Sequence, residues 1–356
     1  DLSISDRYDE NMPIMKKCSR PWFALILLSV AALTVQKVFI FIQWSAVSVE
    51  TMTLKPAVIG MQVEPLTLKP AVHIVYATDK EQLIGMQASI QSLLENSKTP
   101  ESIVVHIFRL ASNATGPATN ALEDKELLPL RTQIESTDAT LKVHDYQFSE
   151  IEPFLNTHFA DIKTRGNLLA PSNYVRFLLS TKLLDIDMCM WVDSDTIIRG
   201  DIVTFMAARD ASKAMGAFSR GFSSLSDAMR DTLKAKGVDV APATPSFNAG
   251  IIVLNLKLWR EQKAYDQVLE ICNLNRELKL WTKFGSQPPL QVLFSGDRFE
   301  KLPSNLYVDG MGYKENQQPN KGMFLHWNGF HKPWLSDGLY KEYWEQYNRV
   351  KKEKYR

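Results

Sequence analysis

Short apolar runs alternate with amphipathic stretches over most of the chain, and this alternation narrows the possible folds more than any other feature. The run at 73–77 is followed by 83–96, where Leu83, Met86, Ile90, Leu93 and Leu94 recur at helical spacing. Further strand-like runs lie at 103–108, 141–143, 188–192, 213–218 and 251–254, separated by helical stretches such as 118–136, 174–184 and 256–273. That order predicts an α/β fold with a mostly parallel central sheet and helices on both faces. Ligands of such sheets sit beyond the carboxyl ends of the strands, so the residues after each run are the candidates for function. With 45% hydrophobic and 23% charged residues over 356 positions and only 3 cysteines, a disordered tail, a collagen and a disulfide mini-protein are excluded. A net charge of +1 argues against nucleic acid as a partner.

Residues 21–44 are mostly apolar and carry a single charge, Lys37, enough for the roughly 20 mostly apolar residues of a membrane-spanning helix. Lys37 lies towards the far end, where its stem can snorkel to the interface. Lys16, Lys17 and Arg20 precede the run, and the positive-inside rule keeps that side cytoplasmic. The expected organisation is a cytoplasmic tail over 1–20, a transmembrane signal-anchor over 21–44, a stem over 45–71 and a lumenal body over 72–356. A cleaved signal peptide is the alternative, but no small-residue cleavage site follows a short apolar run. Thr53-Leu54-Lys55-Pro56-Ala57-Val58 recurs as Thr67-Leu68-Lys69-Pro70-Ala71-Val72, a duplication read as a spacer within the stem. Asn113-Ala114-Thr115 is a glycosylation sequon that agrees with a lumenal body. With Cys18 on the cytoplasmic side, Cys189 and Cys272 allow at most one disulfide; Cys189, inside an apolar run, reads as a buried small hydrophobe.

Thr78 and Asp79 follow the first strand, and Asp193-Ser194-Asp195 follows the run at 188–192. Carboxylates at i and i+2 on an extended backbone point to one side and can share a hard divalent cation. Near the other end, His326 follows another short strand, and Gly329 and Lys332 follow it in turn. Imidazole is a common ligand for a transition cation, a glycine lets backbone approach an anion, and a lysine supplies mobile positive charge to phosphate oxygens. His331 reads as an exposed residue. Phe247-Asn248-Ala249-Gly250 precedes the strand at 251–254 with small residues where a sugar could press against backbone, and Gln287 stands at the start of a helix, suited to a hydroxyl. Each stretch alone also has a structural explanation.

Taken in order, Tyr76-Ala77-Thr78-Asp79, Asn173-Tyr174-Val175-Arg176, Trp191-Val192-Asp193-Ser194-Asp195, Phe247-Asn248-Ala249-Gly250 with Trp259-Arg260, and His326-Trp327-Asn328-Gly329 with Lys332-Pro333-Trp334 resemble glycosyltransferase family 8. The resemblance runs from about 72 to 335. Gly285-Ser286-Gln287-Pro288-Pro289 and Gly310-Met311-Gly312-Tyr313 are most similar to the plant galacturonosyltransferase and galacturonosyltransferase-like branch. It implies a GT-A (Rossmann-like) fold, a UDP-sugar donor, a glycan acceptor, Mn²⁺ or Mg²⁺ as cofactor and retention of anomeric configuration; with the anchor over 21–44, the expected location is the Golgi membrane. Asp193, Asp195 and His326 would then bind the metal, and Ala77, Thr78, Asp79 and Ser194 would line the nucleotide pocket. Gly329 and Lys332 would meet the diphosphate, and Arg176, Asn248 and Gln287 the donor sugar. Many members carry an acidic residue before the glutamine; here Ser286 stands there, which leaves no carboxylate at that position for a covalent mechanism.

Loss of a nucleoside diphosphate needs stabilisation of growing negative charge, which a cation and Lys332 supply without a side-chain acid. Hydrolysis by paired carboxylates is the competing chemistry, but Asp193 and Asp195 are too close in sequence to flank a sugar. Three alternatives remain beside it: a galactosyl- or glucosyltransferase of the lipopolysaccharide type, a glycogenin-like initiator, and a non-catalytic nucleotide-sugar-binding paralogue. Donor sugar, acceptor and oligomeric state stay open.

Overall fold

A computed structural model describes residues 70–111, 121–155, 170–221, 225–241, 245–281 and 285–349. The chain divides between Leu66 and Thr67, and every described residue belongs to the second unit. The predicted tail, anchor, most of the stem and the Asn113 sequon lie outside the described residues. Among the described residues no helix is long and apolar enough to cross a membrane.

The predicted alternation produces a sheet whose strand order is β3-β2-β1-β4-β7-β6-β8. Its strands are β1 (Val72–Ala77), β2 (Ile103–Leu110), β3 (Thr140–Tyr146), β4 (Met188–Val192), β6 (Met215–Ser219), β7 (Phe247–Asn255) and β8 (Glu300–Leu302). Helix α1 (Leu83–Glu95) joins β1 to β2 and α2 (Asp124–Glu135) joins β2 to β3, giving two parallel βαβ steps on one side of β1. The chain then crosses to place β4 on the other side of β1, also parallel. Strand order therefore reverses between β1 and β4, the position at which α/β sheets open a crevice for ligands. The sheet is mostly parallel, as expected, with β7 antiparallel to both β4 and β6. Alternate residues feed two apolar layers, Val75, Ala77 and Trp191 on one face and Ile74, Tyr76 and Met190 on the other.

A second, three-stranded sheet has the order β5-β10-β9, with β5 at Thr196–Ile198, β9 at Tyr307–Val308 and β10 at Phe324–His326. Fully buried Trp327 anchors it beside Leu325 and Ile197.

Three expectations about elements need correction. The stretch Phe247-Asn248-Ala249-Gly250 is not a loop before a strand but the first half of β7, because it continues past the end of β4: Val192 pairs with Ile251, and the Asp193 N–H donates to the Gly250 carbonyl at 2.7 Å. The helix expected over 174–184 is a 3₁₀ turn, Pro171–Phe177, followed by a short α-helix, Leu179–Lys182. The helix expected over 256–273 is two, α3 (Leu256–Glu261) and α4 (Ala264–Leu278). They are separated at Lys263, whose φ of 54° no helix accommodates. Cys189 and Cys272 are buried free thiols in one apolar layer, and burial pushes Cys272 up to about 12.

His73, His106 and His144 form a file across β1, β2 and β3. His73 Nδ1 lies 3.0 Å from His106 Nε2, and His106 Nδ1 lies 2.9 Å from His144 Nε2. Neutral rings satisfy both contacts, each giving one N–H and accepting one. Burial lowers all three below the ordinary histidine value, His106 to about 3, and Lys142 adds to the effect. The unfolded chain takes up protons near pH 6.5 while the folded file does not, so stability is full above that pH and declines as pH falls from 6.5 towards 3. For His106 alone the decline is about 1.4 kcal/mol per pH unit. Unfolding temperatures should therefore drop between about pH 7.5 and about pH 5. His106→Gln, which still bridges two imidazoles, should flatten that drop; an unchanged slope would show that the file is not its source.

Candidate active site

The carboxyl ends of β1 and β4 lie side by side, with Val75 in register with Trp191. Two residues further along each strand, Ala77 and Asp193 face the same cavity of about 1260 Å³. Asp193-Ser194-Asp195 is not extended, as the i, i+2 argument assumed, but forms the tight turn from β4 into β5. The carboxylates still converge, because β10 pairs antiparallel to β5 with His326 opposite Thr196 and lays the imidazole against both. His326 Nε2 is 3.1 Å from Asp195 Oδ1 and 3.9 Å from Asp193 Oδ2. The Trp327 N–H donates to the Asp195 carbonyl at 2.9 Å and locks the turn to the strand.

The remaining lone pairs of the two carboxylates are held by fixed donors. Asp193 Oδ1 accepts from Trp191 Nε1 at 2.7 Å and from Arg176 at 3.0 Å, which leaves Oδ2 turned to the imidazole. Asp195 Oδ2 accepts from Lys332 Nζ, and the same ammonium donates to the Trp327 carbonyl at 2.8 Å. Burial by itself would raise the Asp195 carboxyl, but Lys332 and then His326 overcome it and hold the group far below the usual carboxylate range. Arg176 is buried; its guanidinium lies 4.4 Å over the Trp191 ring and donates to the carbonyls of Asn173 and Ala249 as well as to Asp193. It lines the cavity, and it orients Asp193.

The other predicted residues gather in the same cavity. Ala77, Asp79, Ser194, Asn248, Gln287, Gly329 and Lys332 all line it, whereas Thr78 is buried behind the lining and donates to the Asp79 carbonyl at 3.3 Å. Asp79 Oδ1 also accepts from the Gln82 N–H at 3.0 Å where α1 begins, and burial raises its carboxyl above the ordinary value. Asn248 Oδ1 accepts from the Gly250 N–H at 2.6 Å, and Gln287 Oε1 from the Ala249 N–H at 3.1 Å, which ties the first residue of helix α5 (Gln287–Leu293) to β7. Ser286 lines the cavity beside it. His331 is partly exposed and pairs with Asp337 at 2.8 Å. Gly329 has a φ of 151° and a Cβ there would meet the Gly312 backbone at 2.3 Å, so its missing side chain serves a backbone crossing between two loops.

Sequence reasoning gave Gly250 another role and missed a second group. A Cβ on Gly250 would meet His326 Cε1 at 2.3 Å and Asp193 Oδ2 at 2.7 Å, so this glycine makes room for the carboxylate and imidazole. The second group is Tyr307, Asp309 and Arg220, all lining the cavity. Tyr307 Oη is 2.7 Å from His326 Nδ1, and Asp309 is ion-paired with Arg220 at 2.5 Å. Burial holds the Tyr307 phenol well above its usual pKa, so it keeps its proton. No residue signal marks this group, because its members sit on separate loops and strands.

Asp193, Asp195 and His326 each offer one ligand atom, and the three atoms lie within 4.8 Å of one another. Two carboxylate oxygens and one imidazole nitrogen, with donors fixing the carboxylates from behind, fit a divalent cation of intermediate hardness.

Residues 73–338 match the family model described as Glycosyl transferase family 8. The chain belongs to this family. A family 8 member is a glycosyltransferase, and the order of motifs along this chain is thereby accounted for. The chain is 27% identical over 281 residues to "Probable galacturonosyltransferase-like 3" of Arabidopsis thaliana, covering 74% of each. It is 24% identical over 212 residues to "Glycosyltransferase 8 domain-containing protein 2" of Homo sapiens, covering 52% of this chain and 60% of that one. Among solved structures it resembles the galactosyltransferase LgtC with a TM-score of 0.56 at 18% identity, covering 78% of this chain and 96% of that one. It also resembles the glycosyltransferase GlyE of Streptococcus pneumoniae TIGR4, with a TM-score of 0.52 at 16% identity over 78% of this chain and 60% of that one. The fold is GT-A-like. Within the family motif Trp259-Arg260, both side chains serve the scaffold. Buried Trp259 donates to the Ala214 carbonyl at 2.9 Å, and Arg260 caps the carbonyls of Leu183 and Ile186.

Proposed function

We propose that this family 8 protein is a retaining, metal-dependent transferase that moves a hexosyl or hexuronosyl group from a UDP-sugar to a glycan hydroxyl. The observation that carries the reading is the convergence of Asp193, Asp195 and His326, with Lys332, at the crevice between β1 and β4. Bound there, Mn²⁺ or Mg²⁺ would neutralise the diphosphate as it departs. Lys332 would add a second positive charge to the same oxygens, while Ala77, Asp79 and Ser194 supply the nucleotide side of the cavity. Asn248 and Gln287, braced on β7, would face the sugar. In this reading no protein nucleophile takes part. Ser286 precedes the glutamine, and the acceptor hydroxyl attacks from the face the diphosphate leaves.

Likeness to galacturonosyltransferase-like proteins supports a uronic acid or galactose donor. The apolar run at 21–44 with its preceding Lys16, Lys17 and Arg20 supports a type II Golgi membrane protein with this domain in the lumen.

A panel of UDP-sugars assayed for UDP release by the purified protein tests the reading. One donor should be turned over in the presence of Mn²⁺, with at least about a 100-fold loss on chelation or in Asp193→Ala, since a metal supplies several kcal/mol to such charge. A wild-type protein that binds donor but turns over none would support the binding-paralogue alternative. An inverted product anomer would remove the retaining mechanism.

A further inference from the structure

We infer that Tyr307, with Asp309 and Arg220 behind it, is a positioning residue that stabilises the His326 tautomer able to hold a cation. The inference rests on the metal-dependent reading above and adds a residue set to it.

A neutral imidazole carries one N–H. With the proton on Nε2, His326 donates to Asp195 Oδ1 at 3.1 Å and has no lone pair to offer at the point shared with Asp193. With the proton on Nδ1, Nε2 is a ligand, and the N–H must find an acceptor. Tyr307 Oη lies 2.7 Å from Nδ1. A phenol can donate or accept, so Tyr307 alone does not choose between the tautomers. Asp309 does. Its Oδ1 lies 3.5 Å from the same Oη, at the outer limit of a hydrogen bond, and as a carboxylate it only accepts. Its Oδ2 is held by Arg220. When the phenol proton points to Asp309, the Oη lone pair accepts from Nδ1–H, and Nε2 is turned bare towards the two aspartates. Switching the histidine moves one proton off Nε2 and one onto Nδ1, while the phenol keeps its own and only rotates it.

The framework around this relay is rigid. β9 and β10 run parallel with Tyr307 opposite Phe324, which sets His326 two residues further along the neighbouring strand. The Tyr307 ring stacks on buried Phe218 at 4.7 Å with planes 17° apart, so Oη is aimed by packing that Tyr307→Phe would preserve. Partners behind a ligating histidine commonly change metal affinity by about 10- to 100-fold.

The experiment is a Mn²⁺ titration of the whole protein with UDP present, free Mn²⁺ being read by electron paramagnetic resonance. Tyr307→Phe should weaken Mn²⁺ binding by at least about tenfold with little change in the unfolding temperature of the metal-free protein. Asp309→Asn should weaken it by a smaller factor. Because Asp309 acts through Tyr307, the double variant should bind like Tyr307→Phe alone, whereas independent packing roles would multiply. Wild-type affinity in Tyr307→Phe, or multiplicative losses in the double variant, overturns the relay while leaving the metal site standing. A wild-type protein that binds no Mn²⁺ overturns the metal reading and the relay together.

Discussion

Asp195→Ala is expected to abolish metal-dependent transfer and to destabilise the protein by about 3–5 kcal/mol, the cost of leaving a buried partner charge uncompensated. The carboxylate is only 7% exposed and meets both His326 and Lys332, so its removal would delete a proposed metal ligand and strand an ammonium in the interior. Those two consequences can be separated. Asp195→Ala combined with Lys332→Met removes both charges, and the alkyl stem can still fill the space beside Trp327. The double variant should recover most of the lost stability, seen as a rise in unfolding temperature, yet stay inactive by at least about 100-fold, because in the proposed mechanism the cation and the lysine would both act on the leaving diphosphate. Mn²⁺-dependent turnover surviving in Asp195→Ala would refute the assignment of this carboxylate as a ligand.

Gly250→Ala should disable the site with one methyl group. Its Cβ would lie 2.3 Å from His326 Cε1, 2.7 Å from Asp193 Oδ2 and 2.8 Å from Asn248 Oδ1, and no atom pair tolerates such approach. The backbone has little room to retreat, because β7 is buried along its length, the Gly250 carbonyl accepts from the Asp193 N–H and the Gly250 N–H is held by Asn248 Oδ1. The imidazole and carboxylate must therefore move apart. Mn²⁺ affinity and turnover should fall by about two orders of magnitude, while stability drops by only about 1–3 kcal/mol, the usual penalty for overpacking. Gly216→Ala on neighbouring β6 is the control. Its Cβ meets Glu300 and Leu302 side-chain atoms at 3.1 and 3.2 Å, so it should cost stability without changing Mn²⁺ affinity. Equal affinity in wild type and Gly250→Ala would show that the glycine serves the sheet alone.

The placement of His326 shows why part of this site was legible and part was not. Its candidacy followed from residue type and from an apolar run before it. That it meets Asp195, 131 positions away, depends on β10 pairing with β5. Similarly, Gly250 read as a small residue for a sugar to press against, and the structure turns it to His326 and Asp193 instead, because β7 runs on past the end of β4. Arg176 was read as facing the sugar; it lines the cavity and also holds Asp193 and two carbonyls, a further role set by the 3₁₀ turn that replaced the expected helix. Tyr307, Asp309 and Arg220 left no trace in the sequence at all.

Local patterning determined the α/β class, the six longer strands of the main sheet, helices α1 and α2, the aspartate pair at a strand end and the order of the family motifs. Those follow from apolar spacing and residue chemistry, which act over a few neighbours. The tertiary structure alone decided that β4 lies against β1, that β7 overhangs the crevice, and which donors hold each carboxylate. Strand order and the meeting of distant loops are set by packing across the whole molecule, and no short-range pattern encodes them.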